Sequence, residues 1–198
     1  MKIGLTGGIA CGKSTVSAYL KSLGCVIIDA DAISHALTAP GGTALPAIRE
    51  AFGDGVFDGD VLNRRALGSI VFSCEEKRAQ LNAILHPMII SSIESALAAH
   101  DAPDKLVIGD VPLLYECGMA HMFDQVWVVS VPAEEQIARI CLRDGLSREE
   151  ASHRIDAQMS LEQKRALADT VIDTSGSVEN TRRQVDALIQ SIFPRRKA

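Results

Sequence analysis

"LTGGIACGKST", Leu5–Thr15, is the stretch that decides the fold. Two adjacent glycines are followed by Gly12, Lys13, Ser14 and Thr15, a few residues from the first methionine. Glycine is costly inside regular structure, so such a cluster marks backbone that turns sharply or approaches something closely. From Gly7 to Ser14 the segment matches G-x-x-x-x-G-K-[ST], the pattern of a phosphate-cradling loop, which needs a strand before it and a helix after it. Ile3-Gly4-Leu5 is a short apolar run suited to a buried first strand. Val16, Leu20 and Leu23 recur at helical spacing, and Gly24 is a natural stop. A glycine-rich turn before an ordinary helix is the plainer alternative, but the full pattern in this setting favours a site for a nucleoside triphosphate. The loop's N–H groups and the helix N-terminus converge on phosphate oxygens there. Lys13 reaches the β- and γ-phosphates, and the Ser14 hydroxyl ligates Mg²⁺.

The rest of the chain narrows the class of protein. Its 198 residues suit one domain with insertions and leave ample material for a core. A hydrophobic content of 47% with 23% charged residues is that of an ordinary globular protein. The formal net charge of −5 argues against general nucleic-acid or membrane binding, so local arginines and lysines must hold any anionic substrate. Five cysteines without regular spacing read as free thiols in a reducing compartment. The first strand begins at about Lys2, which leaves no room for a leader. No apolar run approaches membrane-spanning length. These features predict a cytoplasmic protein, a monomer or small homo-oligomer.

Apolar strands alternate with helical stretches. "CVIID" (Cys25–Asp29), "KLVIGDVP" (Lys105–Pro112), "VWVVSV" (Val126–Val131) and "TVID" (Thr170–Asp173) follow the first strand. Helical patterns occupy about 133–142, 148–159, 161–167 and 178–193. Between about Ala32 and His100 lies a polar helical region whose pieces are punctuated by "APGG" (Ala39–Gly42), "GDGVFDGD" (Gly53–Asp60) and His86-Pro87. The order predicts an α/β fold of three layers, a five-stranded parallel sheet covered on both faces. The expected core is about residues 1–31, 105–132 and 168–198. A helical acceptor-binding insertion would cover about 32–104, and a lid about 133–167. "PRRKA" at the end reads as a solvated tail.

Three classes of phosphate-loop protein compete. A GTP switch needs a guanine-reading N-K-x-D, which is absent. A transport or motor ATPase would be larger, with signature segments of its own. A small-molecule kinase needs a carboxylate near the γ-phosphate, an acceptor site and arginines that close over the transferring group, and the sequence supplies candidates for each. Asp29 and Asp31 stand at the carboxyl end of the second strand, the sheet edge where ligands of open α/β folds sit. Asp31 there could accept a hydroxyl proton. It could equally cap a helix beginning at Ala32. Asp29 would support the loop or Mg²⁺ through water. In "ARICLRDGLSREEASHRIDAQ" (Ala138–Gln158), Arg139 and Arg143 share a helix face. "DGLS" breaks that helix, and Ser147 with Glu150 forms a capping box for the next, on which Arg154 and Gln158 are again four apart. Such an arrangement suits a lid, with Arg143 at the break as its reacting arginine. Arg148 and Arg154 fit a solvated helix face. Cys11 fills a loop position that many small residues would suit, so on the plainer reading a thiol merely fits. It also lies at a helix N-terminus beside Lys13, where a thiol becomes more acidic, and on the other reading it is a reactive cysteine that bound ATP protects.

In these residues and their order the chain resembles the dephospho-CoA kinase family. The likeness runs through "IGLTGGIACGKS", "VIIDAD", "LNRRALGSIVF" (Leu62–Phe72), "LHPMI" (Leu85–Ile89), "DVPLLYE" (Asp110–Glu116), "RDGLSREEASHRIDAQ" and "ADTVIDTSGS" (Ala168–Ser177), nearly the whole chain in order. The resemblance implies ATP-dependent phosphorylation of the ribose 3′-hydroxyl of dephospho-CoA, giving coenzyme A and ADP, with ATP and Mg²⁺ as cofactors. It implies that Gly8, Ala10, Cys11, Gly12, Lys13, Ser14 and Thr15 hold the ATP phosphates. Asp31 is then the base toward the 3′-hydroxyl, Lys13 the charge stabiliser and Arg143 the lid arginine. Arg64, His86, Pro87 and Glu116 shape the dephospho-CoA side. Where the family carries an Asn that contacts adenine this chain has Thr174, so backbone of Ser175 and Gly176 would hold the base. Asp110 would be a conventional Mg²⁺-linked carboxylate, though the family does not insist on it. A nucleoside-type kinase shares the core, and a binding module that lost transfer would share the loop.

Overall fold

Ile3 and Leu5, on one face of the first strand, are wholly buried, and the rest of the fold assembles against them. The structure is a computed structural model that describes residues 1–102 and 104–193. The expected tail, "PRRKA", lies outside the described residues. Elements follow in the order β1 (Lys2–Gly7), α1 (Lys13–Ser22), β2 (Val26–Asp29), α2 (Ala30–Leu37), α3 (Leu45–Phe52), β3 (Phe57–Asp58), β4 (Val61–Leu62), α4 (Arg64–Ser73) and α5 (Glu75–Ala99). Then come β5 (Val107–Asp110), β6 (Gln125–Ser130), α6 (Ala133–Asp144), α7 (Arg148–Asp156), α8 (Leu161–Leu167), β7 (Thr170–Asp173) and α9 (Val178–Ile192).

Five of the strands form a parallel sheet in the order β2-β5-β1-β6-β7. On one face, Ile3, Leu5, Ile108, Trp127, Val129 and Ile172 meet Val16 and Leu20 of α1 and Val185 of α9. The other face is closed by the β5–β6 connection. Gly4 of β1 is in register with Gly109 of β5, and a β-carbon at either would collide with the Phe123 ring, so both positions admit the ring only as glycine. β1 thus sits mid-sheet, buried on both faces, and delivers the chain to the loop at its carboxyl end.

Contacts divide the described chain into two compact units, residues 1–28 with the described residues from 100 onward, and residues 29–99. The second unit has its own core, Ala44, Leu45, Ile48, Val56, Phe57, Leu62, Leu67 and Val71. Three expectations are corrected there. "GDGVFDGD" is not simple punctuation, because Phe57–Asp58 and Val61–Leu62 pair as a small antiparallel hairpin that buries Phe57 and Leu62. His86-Pro87 does not end a helix, since α5 runs through it. An internal proline removes a backbone hydrogen bond. Leu81, Ile84, Leu85 and Met88 nevertheless pack on the unit's core, and Ile93 and Leu97 are buried beyond, so tertiary packing outweighs the local break. The uninterrupted α5 is consequently long and apolar enough, by length and composition, to span a membrane, contrary to the reading from the sequence. Leu81, Ile84, Leu85 and Met88 of this helix pack on the core, while only Ile93 and Leu97 are buried.

Candidate active site

The Gly7–Ser14 segment folds as a loop most of whose carbonyl groups are engaged, three of them by side chains from elsewhere in the chain. Gly7 O accepts from Lys164 Nζ (3.4 Å), Gly8 O from Cys11 N (3.3 Å) and Ile9 O from Gln136 Nε2 (2.8 Å). Cys11 O accepts from the Thr174 hydroxyl (2.7 Å), and Gly12 O from Thr15 N (3.0 Å). Among the described residues, the N–H groups of Ala10, Gly12, Lys13 and Ser14 have no such partner. Oriented donors ahead of a ten-residue helix form an anion site reinforced by the helix dipole. The turn requires left-handed backbone at Gly12 (φ 80°), which glycine accepts freely, and at Ala10 (φ 59°), where a β-carbon makes it costly. The buried donors that grip the neighbouring carbonyls hold that strained turn in place.

Lys13 pairs with Asp110 at the end of β5, and both side chains are largely buried. Ser14 and Thr15 are exposed on the first turn of α1. A serine hydroxyl with a nearby carboxylate such as Asp110 is a hard oxygen set. It fits Mg²⁺, which takes one or two protein ligands and completes its shell with phosphate and water. No cluster of three or more His, Cys, Asp or Glu stands ready for a metal among the described residues.

Two cavities adjoin the loop and share Gly12 and Arg139. One, about 310 Å³, is lined by Ala10, Gly12, Ser14, Arg139, Leu142 and Arg143. The other, about 230 Å³, is lined by Gly12, Thr15, Arg139, Thr174, Gly176, Val178 and Thr181. Arg139 donates to Thr174 O (2.6 Å) and to Glu135 (2.6 Å), so it stands between the two. Arg143 faces the first cavity while making two hydrogen bonds to Asp144 (2.8 and 3.0 Å), whose carboxylate also receives Arg154 (2.9 Å). Those bonds raise the Arg143 pKa and hold the Asp144 carboxyl below its ordinary value. Ser147 and Glu150 form the anticipated capping box on α7. Ser175 N donates to Asp173, whose carboxyl is lowered by that bond, and Gly176 borders the second cavity.

In the second unit the cap of α2 is Asp29, not Asp31. The Asp29 carboxylate accepts from the N–H of Asp31 (2.9 Å) and of Ala32 (3.0 Å). The helix starts two residues earlier than expected, which carries Asp31 into its exposed first turn and frees its carboxylate from capping. Arg64 opens α4 and donates to the Thr38 hydroxyl (2.7 Å) and His35 O (3.4 Å). His86 is half-buried and Pro87 exposed, both within α5.

Of the two readings of Cys11, its surroundings favour the plainer, a thiol that merely fits. The thiol is buried, and burial pushes its pKa up to about 11 despite the nearby Arg139 and Lys164 charges and the hydrogen bond from the loop. Desolvation outweighs the helix terminus because the side chain turns inward into the core under the loop. Glu116 is engaged within the first unit: Oε1 pairs with Lys164 Nζ (2.8 Å) and accepts from Met159 N (3.1 Å). The sequence reading missed Gln136 and Lys164. Nothing in "EEQIARI" or "LEQKRAL" distinguishes either from a polar residue on a solvated helix face.

The loop, its lysine and the flanking arginines are parts common to phosphate-loop kinases, and the comparisons sharpen that. The family model described as CoaE, dephospho-CoA kinase, matches residues 1–180. The dephospho-CoA kinase of Carboxydothermus hydrogenoformans is 47% identical over 191 residues, covering 95% of this chain and 92% of the relative. Among solved structures, the dephospho-CoA kinase from Campylobacter jejuni is 31% identical, with a TM-score of 0.78 and 98% of each chain covered. A shikimate kinase from Acinetobacter baumannii, at 17% identity and a TM-score of 0.57, shares the fold. The chain therefore belongs to the dephospho-CoA kinase family.

Proposed function

We propose that this protein carries out the reaction its family is named for, ATP-dependent phosphorylation of dephospho-CoA in coenzyme A biosynthesis, by the following residue-level route. The observation that carries the reading is the loop itself, with its carbonyls held outward and its N–H groups left for phosphate, in a chain matched by the family over residues 1–180.

The triphosphate lies along Ala10–Thr15, with Gly8 at the loop's entry, and adenine takes the cavity bordered by Thr174 and Gly176 with backbone from Ser175. Lys13 leaves Asp110 for the β- and γ-oxygens and stabilises charge as the phosphoryl moves. The Ser14 hydroxyl, with Asp110, would hold Mg²⁺, which would supply positive charge against the phosphates. Asp31, two residues beyond β2 and free of any capping duty, orients the ribose 3′-hydroxyl and accepts its proton. Arg143 turns from Asp144 toward the transferring group, and its family role as lid arginine suits its place beside the phosphate cavity. Arg64, with His86, Pro87 and Glu116, serves the dephospho-CoA side. Two small anionic substrates and five free cysteines fit a cytoplasmic setting.

The test is direct. Purified protein is incubated with ATP, Mg²⁺ and dephospho-CoA, and the 3′-phosphorylated product is followed by mass spectrometry beside ADP. Coenzyme A and ADP in equal amounts support the reading. ADP formed only with another acceptor would make the chain a different kinase, and tight ATP binding without turnover would make it a binding module.

A further inference from the structure

Lys164 is the most unusual polar residue in the first unit: its side chain is 0% exposed. Lysines are almost never fully buried unless paired, and this one is paired three ways. Its ammonium donates to Glu116 Oε1 (2.8 Å), to Pro112 O (3.1 Å) and to Gly7 O (3.4 Å), which uses all three of its hydrogens. A well-packed apolar side chain of the same size would fill the space without desolvating a charge. The position of the acceptors says what the charge is for. Gly7 is the last residue of β1 and the first of the phosphate loop, so the peptide that Lys164 grips is where the loop leaves the sheet. Pro112, just beyond β5, also accepts from the Thr6 hydroxyl (2.9 Å), one residue before Gly7. Glu116 Oε1 accepts from Met159 N as well, in the turn between α7 and α8. On the neighbouring residue, Gln158 Oε1 accepts from Ile9 N (3.1 Å), inside the loop.

We propose that Lys164 is a positioning residue of the phosphate loop, fixing the Gly7 carbonyl directly and tying the loop, through Glu116, to the α7–α8 turn. It acts through the backbone and touches no substrate. With the Gly7 carbonyl held back by the ammonium, the following N–H groups keep the orientation in which they receive phosphate. Because Gln158 and Met159 are adjacent, displacement of that turn pulls on the loop at two points, Ile9 N and the Glu116–Lys164–Gly7 chain. This rests on reading the loop as the nucleotide site.

The experiment measures Kd for ATP and for adenosine by calorimetry, with full-length wild type and Lys164→Met. A positioning role predicts ATP weakened tenfold or more while adenosine, which lacks phosphates, changes less than twofold. An equal change for both ligands would reduce Lys164 to general stability and overturn the proposal, as would no change in either. If Lys164→Met does not fold, Lys164→Met/Glu116→Leu removes both charges together and is read by the same ATP-to-adenosine ratio; the acceptor is absent, so any substrate role of Glu116 does not enter. Wild type that binds no ATP would instead remove the reading of the loop, and the proposal with it.

Discussion

Lys13, Asp31 and Cys11 show how much one side chain's surroundings decide. Lys13→Ala removes a preorganised stabiliser of the moving phosphoryl, and kcat should fall roughly a hundredfold or more. Its pairing with Asp110 means the variant also leaves a buried carboxylate, so kcat is read only after a melting curve shows the protein folded. Asp31 now permits a cleaner experiment, because Asp29 does the capping. Asp31→Asn should leave stability and ATP binding unchanged while kcat drops on the order of 10²–10⁴-fold, the contribution of a positioned base. Asp29→Ala should instead cost about 1 kcal/mol of stability through the lost cap. Unchanged turnover in Asp31→Asn would end its candidacy as base. Cys11 should resist alkylation at neutral pH in the native state and label only on unfolding, which peptide mapping reads; rapid native labelling would contradict its burial. The phosphate-loop residues were legible because the motif encodes backbone chemistry locally. Cys11's inward turn and Lys164's burial depend on partners far along the chain, for Lys164 as far as Gly7, 157 residues away, which no local pattern records. Asp29's cap is local, bonding N–H groups two and three residues on, and was missed because the helix starts two residues earlier than expected.

Among the elements, the junction of α6 and α7 is held by the Asp144 carboxylate between Arg143 and Arg154. Asp144 is more acidic in the folded protein, chiefly through its hydrogen bond from Arg143, so its contribution is complete above the unfolded carboxylate value, about 3.9, and is lost as pH falls through the lower folded one. Glu150, lowered by its capping bonds to Ser147, titrates in the same direction. The junction should therefore hold from neutral pH down to about 4 and loosen below it. Hydrogen exchange, corrected for intrinsic rates, should show α6–α7 amides opening at pH 3 before those of β1 and β6, and Asp144→Asn should bring that opening forward to pH 6. Simultaneous opening of sheet and junction would refute the local role. The starts of α6 and α7 were legible to the residue and their ends within three, because caps and the "DGLS" break are local signals. The passage of α5 through Pro87 was not, because a core it packs on, rather than its own sequence, keeps it whole.

For the molecule as a whole, alternating strands and helices announced a parallel sheet, but the order β2-β5-β1-β6-β7 was not readable from periodicity. Strand order depends on the side of the sheet to which each connection returns, and burial patterns do not carry that information. Residues 29–99 form a unit with its own hydrophobic core. We propose that nucleotide is held by the first unit and that Arg64, His86 and Pro87 of the second serve dephospho-CoA, which damage confined to one core can test. Ile48 is fully buried in the second unit, on α3 among Leu45, Val56 and Leu67, and carries no chemistry of its own. Ile48→Ala should cost about 2–5 kcal/mol of that unit's packing. At a temperature where the variant stays folded, Kd for ATP should remain within about twofold of wild type, a change of less than 0.5 kcal/mol. KM for dephospho-CoA should rise several-fold, since Arg64 and its Thr38 support rest on that packing. If ATP affinity falls in step with the acceptor's, the two cores do not serve separate substrates and the division fails.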